Sequence, residues 1–178
     1  MIRTASDRET QARNIFASRA AVDPAQLLSL AKSLREEDNN LEYSRRLLSK
    51  AQAELGPLTD RDVRFQVVRD LVVCTYKSPD LPPDERFKTA ESLSLQLLNE
   101  KLTPDQSQDM FGIMGAIWKQ RWRVYGLREH LEHALRLYRQ GMSFGLERDR
   151  GYTAINAAFV LDLLARAGEP YNASSMTA

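Results

Sequence analysis

The amino-acid sequence predicts an all-α solenoid, about seven helices folded as antiparallel pairs that stack into a right-handed superhelix. Three observations predict it. No segment alternates apolar and polar residues with the period of a strand. Apolar residues recur instead at i, i+3, i+4 and i+7 in segments separated by proline, glycine or asparagine breaks. The odd-numbered segments, finally, repeat one pattern at a nearly constant offset.

Residues 1–22 are helix-compatible, with a thin apolar stripe of Ala12, Ile15, Phe16 and Ala20, and are expected to form an arm or an extra helix docked on the first repeat. Asp23 followed by Pro24 is an N-cap with proline at the first helical position. It opens a helix to about Glu37 that turns Leu27, Leu30, Ala31 and Leu34 inward, and Asn39-Asn40 breaks it. The second helix carries Ser44, Leu48 and Ala51 and stops at Gly56-Pro57. Thr59-Asp60 caps a third, with Val63, Val67, Leu71, Val72, Cys74 and Tyr76 along it. The prolines of residues 78–83 cannot continue a helix. A fourth, about residues 84–100, turns Phe87, Ala90, Leu93, Leu97 and Leu98 inward. Thr103-Pro104 starts the fifth, which runs to about Tyr125, and the sixth follows Gly126 over about residues 127–144. The seventh spans about residues 150–167 and ends at Gly168 with Pro170 beyond it. The repeat domain is therefore residues 23–168, and the tail 169–178 is expected to fray.

The register fixes the repeat class. The first large position of the odd helices is Leu27, Arg69, Phe111 and Tyr152, spaced 42, 42 and 41 residues apart. The next large position is Leu30, Val72, Met114 and Ile155, and the small or close-contact position is Ala31, Val73, Gly115 and Asn156. The ring position is Leu34, Tyr76, Trp118 and Phe159. Even helices give Ser44-Leu48-Ala51, Ala90-Ser94-Leu97 and Ala134-Tyr138-Gly141; Arg69, Ser94 and Leu97 fit poorly and make the second repeat divergent. Small residues that let paired helices approach, with aromatics beside them, form the tetratricopeptide pattern, here with longer helices and loops than usual.

From about residue 105 to 168 the likeness sharpens. Gly115, Trp118, Lys119 and Trp122 stand on one helix, Ala134, Tyr138 and Gly141 on the next, and Tyr152, Asn156, Ala157 and Ala158 on the last. This run resembles the tetratricopeptide-like TRAFs-binding domain of apoptosis signal-regulating kinases and of bacterial multidomain proteins. The resemblance implies a regulatory scaffold without catalysis of its own, acting on a protein partner or on a fused or neighbouring effector domain.

Composition narrows the alternatives. At 178 residues, 43% hydrophobic and 28% charged, the chain is that of an ordinary soluble protein with a real core. A net charge of +1 gives no global field toward nucleic acid or anionic lipid. The single cysteine, Cys74, excludes an internal disulfide framework, fits a cytoplasmic setting, and reads as a buried inert thiol. The polar N-terminus is no secretory signal, and no apolar run reaches membrane-spanning length. His130 and His133 stand one turn apart without the His-Glu-x-x-His spacing, and read as part of a solvated helix face rather than a metal site. No glycine-rich phosphate loop and no positioned nucleophile occurs, so no enzyme, metal or cofactor is expected.

Two surfaces are candidate sites. In a solenoid of helix pairs the odd helices line the concave groove, where Arg35, Lys77 and Lys119 hold equivalent positions with Lys32 beside the first. Stacked, they would hold an acidic or phosphorylated peptide by charge-assisted hydrogen bonds; basic residues late in a helix also complement its dipole, which needs no groove. Arg121, Arg123 and Arg128 near Trp122 and Tyr125 could contact RNA, but packing around Trp122 is the preferred use. The last helix carries more apolar surface than a terminal cap needs, with Phe159, Val160, Leu163 and Leu164 as the expected interface, covered by further chain or by a second copy in a homodimer. The expected function is a non-catalytic protein-interaction module; the alternative is an anion or nucleic-acid sensor using the basic groove.

Overall fold

The computed structural model describes residues 6–18 and 20–168, so the tail 169–178, expected to fray, lies outside the described residues. The described residues form eight helices: α1 (Asp7–Ala17), α2 (Pro24–Glu36), α3 (Leu41–Ala53), α4 (Arg61–Lys77), α5 (Pro83–Leu98), α6 (Pro104–Tyr125), α7 (Arg128–Met142) and α8 (Tyr152–Gly168). Among them there is no strand, and the helices pack in adjacent pairs, as a tetratricopeptide-like solenoid requires. The chain divides into two compact units, residues 1–100 with α1 to α5 and residues 101–178 with α6 to α8.

Helix starts follow the capping chemistry. The carboxylate of Asp23 accepts from Ala25 N–H, that of Asp60 from Asp62 and Val63, and the Asn40 side chain accepts from Tyr43. Thr103 and Gln106 form a reciprocal capping box at α6. Gly126, at φ 71°, ends α6 in the left-handed region, where a side chain would be strained.

In the first unit the core is built from Leu27, Leu28, Ala31 and Leu34 of α2, Leu47, Leu48 and Ala51 of α3, and Val67, Leu71 and Cys74 of α4. The docking helix expected before residue 23 is α1: Ala12 is buried, and Ile15 and Phe16 pack against the same core. Ser6 Oγ donates to Asp38 at 2.7 Å, Arg8 pairs with Asp38 at 3.1 Å and also with Glu37, and Arg13 Nε donates to Tyr43 Oη at 2.9 Å. Ala20 is exposed and does not join that stripe.

The second repeat departs from the expected register. The α4 row that meets the α2/α3 core is Val67, Leu71 and Cys74, two residues ahead of Arg69, Val73 and Tyr76. Val72 and Tyr76 are buried as well, because α4 is covered by both α3 and α5. Ser94 and Leu97, expected to fit poorly, are fully enclosed; Ser94 Oγ satisfies itself by donating to Ala90 O of its own helix at 2.7 Å.

The second unit packs α7 between α6 and α8 around Leu131, Ala134, Leu135, Tyr138, Ala157, Val160 and Leu164. Its last helix starts from a sharp turn, with Arg150 and Gly151 at positive φ, tied by Asp149. The Asp149 carboxylate accepts from Gly151 N–H, Thr153 N–H and Thr153 Oγ at 3.0, 2.8 and 2.6 Å. Its limited burial opposes ionisation, but these donors outweigh burial and hold the carboxyl below the ordinary aspartate value. Asp149→Ala should therefore cost about 1 kcal/mol at neutral pH, the usual effect of a lost cap. A folded pKa below the unfolded one adds stability above the unfolded value and loses it as pH falls through the folded value. Paired melts of wild type and Asp149→Ala should differ at neutral pH and converge in acid.

Candidate partner-binding site

The predicted basic residues of the first unit converge on a carboxylate that sequence reading passed over. Asp70 of α4 is completely buried. Arg69 approaches it at 2.7 Å, Arg35 of α2 at 3.2 Å and Lys32 at 4.0 Å. Arg35 also pairs with Glu36 at 2.8 Å, and Lys32 donates to Gln66 Oε1 at 3.3 Å. Half of the expected stripe is thus turned on an internal partner, which stitches α2 to α4. Lys77 is exposed, its ammonium 5.7 Å from the Tyr76 ring. Cys74 lies beneath this cluster, fully buried with its sulfur 3.3 Å from Ser44 Oγ, and burial pushes the thiol pKa up.

Lys119, in the second unit, has a different environment. It stands on α6 with its Nζ donating to Asn156 Oδ1 of α8 at 2.6 Å, between the rings of Phe159 and Tyr138 at 5.4 and 5.7 Å. Asn156 is oriented by donating its Nδ2–H to Tyr152 O of its own helix at 2.9 Å. No carboxylate of the described residues pairs with Lys119. Partial burial, and after it the charge of Arg123 one turn along α6, lower the lysine pKa. A half-buried cation with a neutral hydrogen-bond partner, an aromatic shoulder and a second cation beside it is arranged to receive an anionic group.

The packing behind Lys119 decides the repeat class. A Cβ on Gly115 would lie 2.7–2.8 Å from the Tyr138 ring, so α6 and α7 meet with no room for a side chain there, as the small-residue position of the repeat demands. The sequence model of the Tetratricopeptide Repeats-Sensor family matches residues 40–161, about two thirds of the chain. The chain belongs to the Tetratricopeptide Repeats-Sensor family. No curated protein and no solved structure matches it.

Other expected features of this sensor-family chain move. His130 and His133 do not form a solvated face: His130 is buried, and both rings lie against Trp118, at 5.4 and 4.1 Å between centroids. Trp118 reaches over α7 far enough to cover residues on its polar flank, which a helical wheel of α7 alone does not reveal. No group of three metal-ligating side chains occurs among the described residues. Arg121 sits over the Trp118 ring at 4.3 Å, and Arg128 donates to Leu164 O near the end of α8 at 3.0 Å, so this cluster contributes to packing.

The expected terminal interface needs correction. Val160 and Leu164 are buried against α7 and unavailable to a partner, and Leu163 is partly buried at the margin of the same core. Phe159, 43% exposed, remains, and the outer surface of α8 is made instead by Tyr152, Ile155 and Leu161. Among the described residues, no helix is long and apolar enough to cross a membrane. A cleft of about 510 Å³ near the start of α2 and α4 is lined by Asp23, Glu54 and Asp60 and carries no basic side chain.

Proposed function

We propose that this chain is a non-catalytic recognition module that captures a protein partner through an acidic or phosphorylated segment and passes that event to an effector domain, fused or neighbouring. The environment of Lys119 carries this reading, because a partly desolvated ammonium without a carboxylate gains most from a ligand that supplies one. The resemblance of residues 105–168 to the TRAFs-binding domain belongs to the same reading, since a regulatory scaffold needs a site for a partner and none for chemistry. Lys77 is exposed in the first unit, and the reading rests on Lys119 alone. Lys32 and Arg35 contribute less than sequence position suggests, because Asp70 offsets their charge.

Titration with a glutamate-rich peptide and with a lysine-rich peptide of equal length tests the proposal. Saturable binding of the acidic peptide alone is expected, with Lys119→Glu reducing affinity at least tenfold while the melting temperature stays within a degree or two. Affinity should also fall as alkaline pH deprotonates Lys119, beginning below the ordinary lysine range. Equal affinity of the charge-reversed variant would reject the site. Binding of a single-stranded oligonucleotide with a steep salt dependence would instead favour the anion or nucleic-acid sensor.

A further inference from the structure

We propose that α8 is the first helix of a repeat whose second helix is supplied by another protein, as an amphipathic helix with acidic residues facing Lys119 and Arg123. The inference rests on the partner-binding reading above and names the form the partner takes. On α6 the face Phe111, Gly115, Trp118 and Trp122 is covered by its own pair-mate α7. Phe111 stacks with Phe144 just beyond α7 at 6.0 Å, Gly115 meets the Tyr138 ring, Trp118 stacks on His133, and Trp122 packs against the α7–α8 core. The equivalent face of α8 is Tyr152, Asn156, Phe159 and Leu163. The neighbouring face, Thr153, Ala157, Val160 and Leu164, is buried as the cover of α7. The pair-mate face is different: Tyr152 is 46% and Phe159 43% exposed, and Asn156 and Leu163 are only partly buried. It is therefore the face a second helix would occupy in a complete repeat.

Charge selects the occupant. Lys119 adjoins this face through Asn156 and Phe159, Arg123 follows it one turn along α6, and no carboxylate of the described residues pairs with either. A helix laid along α8 with acidic side chains one turn apart would meet both, while its apolar stripe covers Phe159 and Leu163. Asn156 holds the close-contact position, so the incoming helix needs a small residue opposite it. A second copy of α8 fits less well: its outward carboxylate, Asp162, already pairs with Arg166 at 2.9 Å.

The test uses the full chain and three synthetic peptides of one length: an amphipathic helix with glutamates flanking an apolar stripe, the same residues scrambled so that the stripe is lost, and the helix with lysine replacing glutamate. Fluorescence anisotropy should show saturable binding of the acidic helix alone. Phe159→Asp and, separately, Lys119→Glu should weaken it at least tenfold, whereas Leu161→Asp, exposed on another side of α8, should change it less than twofold. Far-UV circular dichroism and melting temperature identify any variant that has lost its fold, and Phe159→Ser then replaces Phe159→Asp. Equal binding of the scrambled acidic peptide would overturn the helix inference while leaving the acidic-partner reading standing. Failure of every acidic peptide would overturn both. A dimer in sedimentation that Phe159→Asp dissolves and the acidic helix does not displace would assign the face to a second copy instead.

Discussion

Asp70→Asn is expected to destabilise the chain by about 3 kcal/mol, the lower part of the range for breaking a buried ion pair by removing one partner. Asp70 is wholly enclosed, whereas Arg35 and Arg69 keep 18% and 27% of their side-chain surface, so water softens the loss on the cationic side. Asparagine keeps the volume and can still accept a hydrogen bond, but it leaves two guanidinium groups and a nearby ammonium repelling one another around a neutral centre. Chemical denaturation should show a lower midpoint with an unchanged slope, and the melting temperature should drop by roughly 10 °C. Glu36→Gln, which removes only the outer and mostly exposed partner of Arg35, should change stability by less than about 0.5 kcal/mol. Combining Asp70→Asn with Arg35→Met should recover part of the loss, since the second change removes a charge that the first leaves without its buried partner. A wild-type melting temperature for Asp70→Asn would mean that the three cations are solvated well enough to need no partner.

The same substitution separates structural from recognition roles among the basic residues. With Asp70 neutral, the charges of Lys32 and Arg35 are no longer offset from within, so the first unit should attract an acidic peptide more strongly as its stability falls. That opposite movement distinguishes the first-unit cations, held by an internal carboxylate, from Lys119, which has none.

Element positions were legible because the caps are written locally. Asp23-Pro24, Thr59-Asp60, Thr103-Pro104 and Gly126 each satisfy or end a helix through their own few atoms, and the helices begin and stop within a few residues of them. What one helix contributes to its neighbours was less legible. The α4 register slipped because burial on two sides erases the one-sided apolar stripe that marks an inward row. Asp70 stood inside the apolar run Val67 to Val73, a signal in itself, but its cationic partners Lys32 and Arg35 lie on α2, a repeat earlier. Val160 and Leu164 read as outward from the sequence because an apolar helix looks alike on every side, and only the contact with α7 turns them inward. For the candidate site, the sequence supplied Lys119 and Phe159; their juxtaposition with Asn156 comes from the α6–α8 contact.

Gly115→Val should cost about 3 kcal/mol, the upper part of the usual range for overpacking a core. The first added carbon would already sit 2.7 Å from the Tyr138 ring, and the two further methyl groups have nowhere to go. Tyr138 cannot swing aside, because it is fully buried and its ring is flanked by Lys119 and Tyr152. Alanine at the same position isolates the close approach: it improves intrinsic helix propensity by about 1 kcal/mol, so any net loss measures the clash beyond that gain. Relief must then come from the ring. Tyr138→Phe keeps the three ring carbons nearest Gly115 and should not rescue Gly115→Ala. Tyr138→Leu is destabilising in the wild-type background through the cavity it leaves, and should be less harmful when combined with Gly115→Ala, whose added methyl fills part of that space. A double-mutant cycle by urea denaturation should therefore give a coupling of at least about 1 kcal/mol for the leucine pair and little for the phenylalanine pair. Because the same ring lies 5.7 Å from the Lys119 ammonium, Gly115→Ala should also weaken binding of an acidic peptide beyond what its stability loss explains. Wild-type affinity in a folded Gly115→Ala chain would show that the α6–α7 contact and the recognition site are independent.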